Sequence, residues 1–185
     1  KNPNFDYDNT YVVLFSDHGF HLGEKQRFAK RSLWEEATRV PMIIAGPGIA
    51  EGKICNKPVQ LLDIYPTLLE LTGLEADTLH EGRSMVPLLK DPESEWPYKA
   101  RASFGPGNYA IISERYRYIH YNDGTEEFYD HVKDPNEWDN MIEDPELQDL
   151  IQQHREQLPL NSYDILGEGS TGHLSYEAAE ANRTK

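Results

Sequence analysis

Asp17 and His18 stand side by side directly after the apolar, β-rich run Tyr11-Val12-Val13-Leu14-Phe15. A carboxylate oxygen and an imidazole nitrogen released together at the end of a strand can form part of a divalent-cation site, because the carboxyl ends of strands are where open α/β sheets bind ligands. Two donors are too few for any metal, so further ligands must come from elsewhere. The pair on its own is equally served by a turn cap and a hydrogen-bonded imidazole. Lys30 follows in Phe28-Ala29-Lys30-Arg31-Ser32-Leu33-Trp34-Glu35. An ammonium beside such a site binds an anionic group as a point charge and neutralises charge on a leaving oxygen; a lone lysine is otherwise a solvated cation. His21, Glu24, Arg27 and Arg31 share the same loop. Their spacing singles out none of them, and His21 is the one taken as a further substrate contact.

These residues need a scaffold. Residues 11–15 and 40–45 are continuous apolar runs and read as strands buried on both faces, as in a parallel sheet covered by helices. The stretch of about 20 residues between them is long for a plain connection, and long loops at strand ends tend to carry function. Asp63 is expected to cap a helix ending at Gly73, with Pro66 in its first turn and Tyr65, Leu68, Leu69 and Thr72 on the packed face. A short helical turn is expected near Leu88-Leu89-Lys90. Pro92, Pro97, Pro106 and the Gly105/Gly107 pair then mark a junction near residue 100.

Beyond it the period changes to that of strands. Residues 109–113, 115–121 and 126–130 read as an antiparallel meander, with Asn122-Asp123-Gly124 as the turn between the last two. Asp144 and Pro145 open a helix whose stripe is Leu147, Leu150, Ile151, His154 and Leu158, before Pro159 stops it. The run from Asp130 to Asp144 and the pair Glu126-Glu127 read as a solvated acidic surface. Trp34, Trp96 and Trp138 read as packing anchors rather than sugar platforms, although Trp96 lies in a loop that could touch a substrate. Residues 160–185 are a polar extended tail. The chain thus divides into 1–100, 101–159 and 160–185.

Charge narrows the field. The 185 residues carry 18 Lys plus Arg against 32 Asp plus Glu, a net charge of −14, which disfavours nucleic acid and anionic membrane surfaces. No apolar run approaches the roughly 20 residues of a membrane-spanning helix. The single cysteine excludes a disulfide framework or a CxxC site within this chain.

The ordered series Phe15-Ser16-Asp17-His18-Gly19-Phe20-His21-Leu22-Gly23-Glu24, Lys30 with Trp34, and Arg39-Val40-Pro41 resembles the sulfatase family of the alkaline phosphatase superfamily, its iduronate-2-sulfatase-like members most of all. The resemblance continues through Asp63-Ile64-Tyr65-Pro66-Thr67-Leu68-Leu69, Gly82-Arg83-Ser84, Tyr118-Ile119-His120-Tyr121, Glu127-Phe128-Tyr129-Asp130 and Asp134-Pro135-Asn136-Glu137-Trp138. It covers about residues 10 to 158. It implies the C-terminal part of an alkaline-phosphatase-like α/β sandwich, followed by a small α+β subdomain with an antiparallel sheet and a C-terminal helix. It also implies a formylglycine whose hydrated form attacks the sulfur of a sulfate ester, and a divalent cation, calcium in most members. Asp17 and His18 would be metal ligands, His18 alternatively a sulfate contact, and Lys30 would bind sulfate and stabilise the departing alkoxide.

The departures are as informative. Formylglycine arises in a Cys/Ser-x-Pro-x-Arg motif, but Cys55 stands in Cys55-Asn56-Lys57-Pro58-Val59, and no serine fits either. The expected nucleophile and two aspartate ligands would belong to an N-terminal segment or chain, and this chain alone is expected to be inactive. The substrate class implied is a sulfated carbohydrate; the location, by family analogy, is periplasmic, secreted or lysosomal. Two alternatives are a phosphonate or phosphodiester hydrolase of the same superfamily and a non-catalytic assembly subunit.

Overall fold

The computed structural model describes residues 6–75 and 79–161. Its first half contains strand β1 (Val12–Phe15), the one-turn helix α1 (Glu35–Thr38), strand β2 (Met42–Ala45) and helices α2 (Ile64–Thr72) and α3 (Val86–Lys90). Strands β3 (Ala100–Ser103), β4 (Tyr109–Ile112), β5 (Tyr116–His120) and β6 (Glu126–Asp130) follow, and helix α4 (Gln148–Arg155) closes the described chain.

β1 and β2 pair with each other antiparallel, Val12 opposite Ala45 and Phe15 opposite Met42. This corrects the expectation of two parallel, doubly covered strands. Their long connection folds back as a hairpin, and one face of the ribbon is open: Val12, Leu14 and Ile43 are 53%, 54% and 60% exposed. The run is as apolar as a buried strand, yet nothing among the described residues covers it.

α2 ends where expected, Gly73 adopting a left-handed φ of 71° that residues with a Cβ adopt only with strain. Its packed face is different from the one expected. Pro66 and Thr67 are buried whereas Tyr65 and Thr72 are exposed. The cause is Asp63, whose carboxylate accepts from the backbone N–H groups of Gln60 (3.0 Å) and Arg83 (2.8 Å) instead of capping α2. Thr67 extends the same clamp, donating to Asp63 O and accepting from Met85 N–H at 2.9 Å.

β3 to β6 form a four-stranded antiparallel meander in chain order. β3 precedes the three strands expected; with two alanines and a polar residue at each alternate position, its period is too weak to read. One sheet face buries Ala110, Ile119 and Tyr129 beneath Leu33 and Trp34 of the long connection. The other buries Ile111, Tyr118 and Phe128 beneath Ile151 of α4, with Leu147, Leu150 and Leu158 around them. The expected stripe of α4 therefore packs as read, although the helix begins at Gln148 and Asp144 holds a turn before it, accepting from Glu146 N–H at 2.9 Å. Most of the tail, residues 162–185, lies outside the described residues.

The acidic surface expected along residues 126–144 is largely a set of buried or paired groups. Asp130 is 1% exposed and takes two hydrogen bonds from Arg115, which hold its carboxyl below the usual range. Glu126 binds Arg155 through two hydrogen bonds, and its pKa is lowered for the same reason. His154, wholly buried between Leu150 O (2.8 Å) and Ser113 Oγ (3.0 Å), has its pKa lowered by burial.

Acidification should therefore destabilise the fold in two stages. A buried imidazole whose folded pKa lies below its ordinary 6.5 costs stability as pH falls beneath 6.5, where the unfolded chain takes up the proton first. Carboxylates with depressed pKa values contribute stability above about pH 4 and lose it below. Thermal melting of the complete protein between pH 7.5 and 3.5 should show both losses. His154→Gln should reduce the first, by up to about 1.4 kcal/mol per pH unit; an unchanged slope between pH 7 and 5 would refute the assignment to His154.

Candidate functional site

β1 delivers Ser16 to the mouth of the long connection, where its hydroxyl donates to His18 O at 2.8 Å. Gly19 N–H then donates to Ala37 O at 2.8 Å, fixing Asp17 and His18 against α1. The approach is so close that a Cβ on Gly19 would stand 2.0 Å from Glu36 O. Only glycine fits here, for reasons of space.

His18 Nδ1 lies 2.7 Å from Gly19 O, so that nitrogen carries the hydrogen and Nε2 presents its lone pair. Lys30 Nζ stands 2.9 Å from His18 Nε2, and the Asp17 carboxylate 3.7 Å from it. Asp17, His18 and Lys30 are thus gathered in one exposed cluster. Two donors at right angles around a cation with bonds of about 2.4 Å would be about 3.4 Å apart. The Asp17–His18 separation of 3.7 Å is close to that spacing.

His21 has a different part. It is fully buried, Nε2 lies 2.7 Å from Ser32 Oγ, and the ring meets Trp34 edge-on at 6.0 Å. With no exposed surface, His21 acts in this structure as a pin beneath the loop. Burial and the nearby Arg27 charge lower its pKa, keeping it neutral.

A second pin is Lys25. Its ammonium donates to Glu137 O and lies 5.3, 4.8 and 5.4 Å from the rings of Trp34, Tyr129 and Trp138. Lys25 and Gln26 both have positive φ, 53° and 56°, a local strain that the cage offsets. Trp34 also donates to Glu127 at 2.7 Å. Trp34 and Trp138 are therefore anchors of the connection that carries Lys30.

The residue that sequence reasoning missed is Arg117, central in β5 and 1% exposed. Its guanidinium donates to Glu35 and Thr38 of α1 and to Leu33 O, and Nε lies 2.7 Å from Glu137. Glu137 in turn accepts from Glu35 N–H (2.9 Å) and pairs with His131 (2.8 Å). Burial alone would raise the Glu137 pKa, but the His131 hydrogen bond and the Arg117 charge outweigh it and the pKa is lowered. Glu35, His131 and Glu137 bring three donor atoms within 4.8 Å of one another, a spacing a metal could use. Arg117 already supplies the positive charge there, so the cluster is an ion-pair network joining α1 to the meander. Its only sequence signal was an arginine inside an apolar strand.

Residues 23–163 match the family described as N-sulphoglucosamine sulphohydrolase, C-terminal. The chain belongs to the sulfatase family. It is 46% identical over 151 residues to a sulfatase of Formosa agariphila and 35% identical over 164 residues to a delta 4,5-hexuronate-2-O-sulfatase of Bacteroides thetaiotaomicron. The matches cover 82% and 80% of this chain but 30% and 33% of those relatives, so the chain spans about a third of their length. The fold recurs in a 2-O GAG (glycosaminoglycan) sulfatase (30% identity, TM-score 0.67, 80% of this chain and 35% of that one). It recurs also in the phosphonate monoester hydrolase of Agrobacterium radiobacter (26%, 0.71, 80% and 34%). The architecture is that of the alkaline-phosphatase-like C-terminal portion, and the relatives of higher identity are sulfatases. The family implies a metal and a formylglycine.

Arg117→Ala should leave the buried Glu137 with only His131, and the part-buried Glu35 with only the exposed Arg39, as counter-charge, and destabilise the complete protein by about 3–5 kcal/mol. Chemical denaturation would measure the loss; one below about 1 kcal/mol would show that the network is not needed to hold α1 on the sheet.

Proposed function

We propose that this chain supplies part of the metal shell and the sulfate-binding cation of a sulfuric ester hydrolase acting on a sulfated carbohydrate. The observation that carries the reading is the convergence of Lys30 Nζ, His18 Nε2 and Asp17 at the exit of β1, in a chain of the sulfatase family. Asp17 offers a hard oxygen and His18 its unprotonated nitrogen to one divalent cation, with calcium the family-based choice. Lys30 faces the sulfate and the oxygen that departs, where negative charge grows in the transition state and a fixed cation lowers the barrier. A formylglycine would supply the attacking oxygen and the cation would hold the oxygens of nucleophile and sulfate. The nucleophile and the remaining ligands come from sequence outside these 185 residues, and the chain by itself is inactive. The open ribbon face formed by Val12, Leu14 and Ile43 is where the rest of the α/β body docks. The name of one relative, a delta 4,5-hexuronate-2-O-sulfatase, supports a hexuronate-containing carbohydrate as substrate, and a periplasmic, secreted or lysosomal location follows by analogy. Among the described residues no helix is long and apolar enough to cross a membrane.

In the complete enzyme Asp17→Ala should abolish metal-dependent hydrolysis of a sulfate ester without lowering the melting temperature, and unchanged turnover would defeat the assignment. Lys30→Ala should reduce kcat/KM by about 10²-fold or more; a loss of less than about threefold would make Lys30 a surface residue. Parallel assays with aryl sulfate and a phosphonate monoester separate the two chemistries of this fold, the sulfate being turned over faster.

A further inference from the structure

A concave surface of about 660 Å³ lies beside α3, built by residues that have no part in the Asp17–His18–Lys30 cluster. Arg83, Ser84, Glu95, Trp96, Pro97 and Tyr98 line it. Arg83 is exposed, and its guanidinium lies over the Tyr98 ring, 4.4 Å from the centroid. Trp96 meets Tyr98 edge-on at 5.0 Å and is locked by its indole N–H donating to Pro58 O at 2.9 Å. The backbone beneath is equally fixed, Arg83 N–H donating to the buried Asp63 carboxylate at 2.8 Å.

Charge makes Arg83 stand out. The guanidiniums of Arg39, Arg101, Arg115, Arg117 and Arg155 all pair with carboxylates. Among the described residues Arg83 forms no ion pair, and neither does Arg27, which instead donates to Arg31 O and lies over Trp34, in a chain whose acids outnumber its bases by 14. A guanidinium held over an aromatic ring, with no carboxylate partner, keeps N–H groups available for a bidentate contact with a sulfate or carboxylate. The neighbouring rings of Trp96, Pro97 and Tyr98 offer apolar surface to the C–H face of a sugar. Ser84 and Glu95 provide a hydroxyl and a carboxylate for sugar hydroxyls. An isolated inorganic anion would use the guanidinium and leave the aromatic wall idle.

We propose that this groove is an accessory binding site for an anionic carbohydrate unit, sulfated or uronic, separate from the catalytic cluster. The choice of ligand rests on the proposed function; the groove itself does not. The site would hold a second stretch of a polymeric substrate and lower KM for long chains more than for a single residue.

The test uses the complete enzyme carrying Lys30→Ala, so that contacts at the catalytic cluster are weakened, with fluorescently labelled heparin oligosaccharide as probe and neutral dextran as control. Heparin should bind, dextran should not, and affinity should fall as salt rises. Adding Arg83→Ala or, independently, Tyr98→Ala should weaken heparin binding about tenfold or more at unchanged melting temperature, while Arg83→Lys should restore only part of it. Heparin affinity indifferent to both Arg83→Ala and Tyr98→Ala would overturn the proposal, as would its complete loss in Lys30→Ala alone. A protein that turns over no sulfate ester yet binds heparin through Arg83 would refute the proposed activity and support the groove. Full sulfatase activity with Arg83-independent binding would do the reverse.

Discussion

The ion pairs of Arg117 with Glu35 and Glu137 are the contact on which the arrangement of this chain depends. A charged group placed inside a sheet is costly unless its partners surround it, and Arg117 finds them only if α1 lies on the β5 face. That requirement positions α1, α1 receives Gly19 through Ala37 O, and Gly19 fixes the two residues before it. The cage around Lys25 repeats the logic with aromatic faces in place of carboxylates. Residues that perform no chemistry thus determine where the exposed Asp17 and Lys30 can be.

The division of labour is visible in exposure. Asp17 and Lys30 face solvent, whereas the groups that hold them are buried: His21, Arg117 and Glu137. Flexible, solvated reactive groups would gain little from electrostatic preorganisation. Here the loop carrying Lys30 is anchored at His21, Lys25 and Trp34, so the ammonium starts from a restricted range of positions.

Much of this was legible in the sequence. Continuous apolar runs located β1 and β2, strand periods located β4 to β6, and a helical period located the packed stripe of α4. That Asp17, His18 and Lys30 lie together was foreshadowed by their place at a strand end and by the order of motifs around them. What escaped notice has one physical origin: long-range pairing of polar groups leaves no periodic trace. Asp63 was taken as a helix cap, yet it spans to a backbone N–H twenty residues away. The acids of residues 126–144 were taken as solvated, yet Glu137 and Asp130 are buried on arginines. β1 and β2 were taken as parallel, since composition reports how apolar a strand is and not which direction its neighbour runs.

Gly19 changes how the tripeptide Asp17-His18-Gly19 should be understood as a signature. Its first two members carry the proposed chemistry, whereas its third answers to the backbone oxygen crowding it from α1. If the acid and the imidazole serve only that chemistry, a descendant without it would be free to replace them but would still be obliged to keep the glycine. On that reading two letters of the three would report chemistry, and the third reports only the fold.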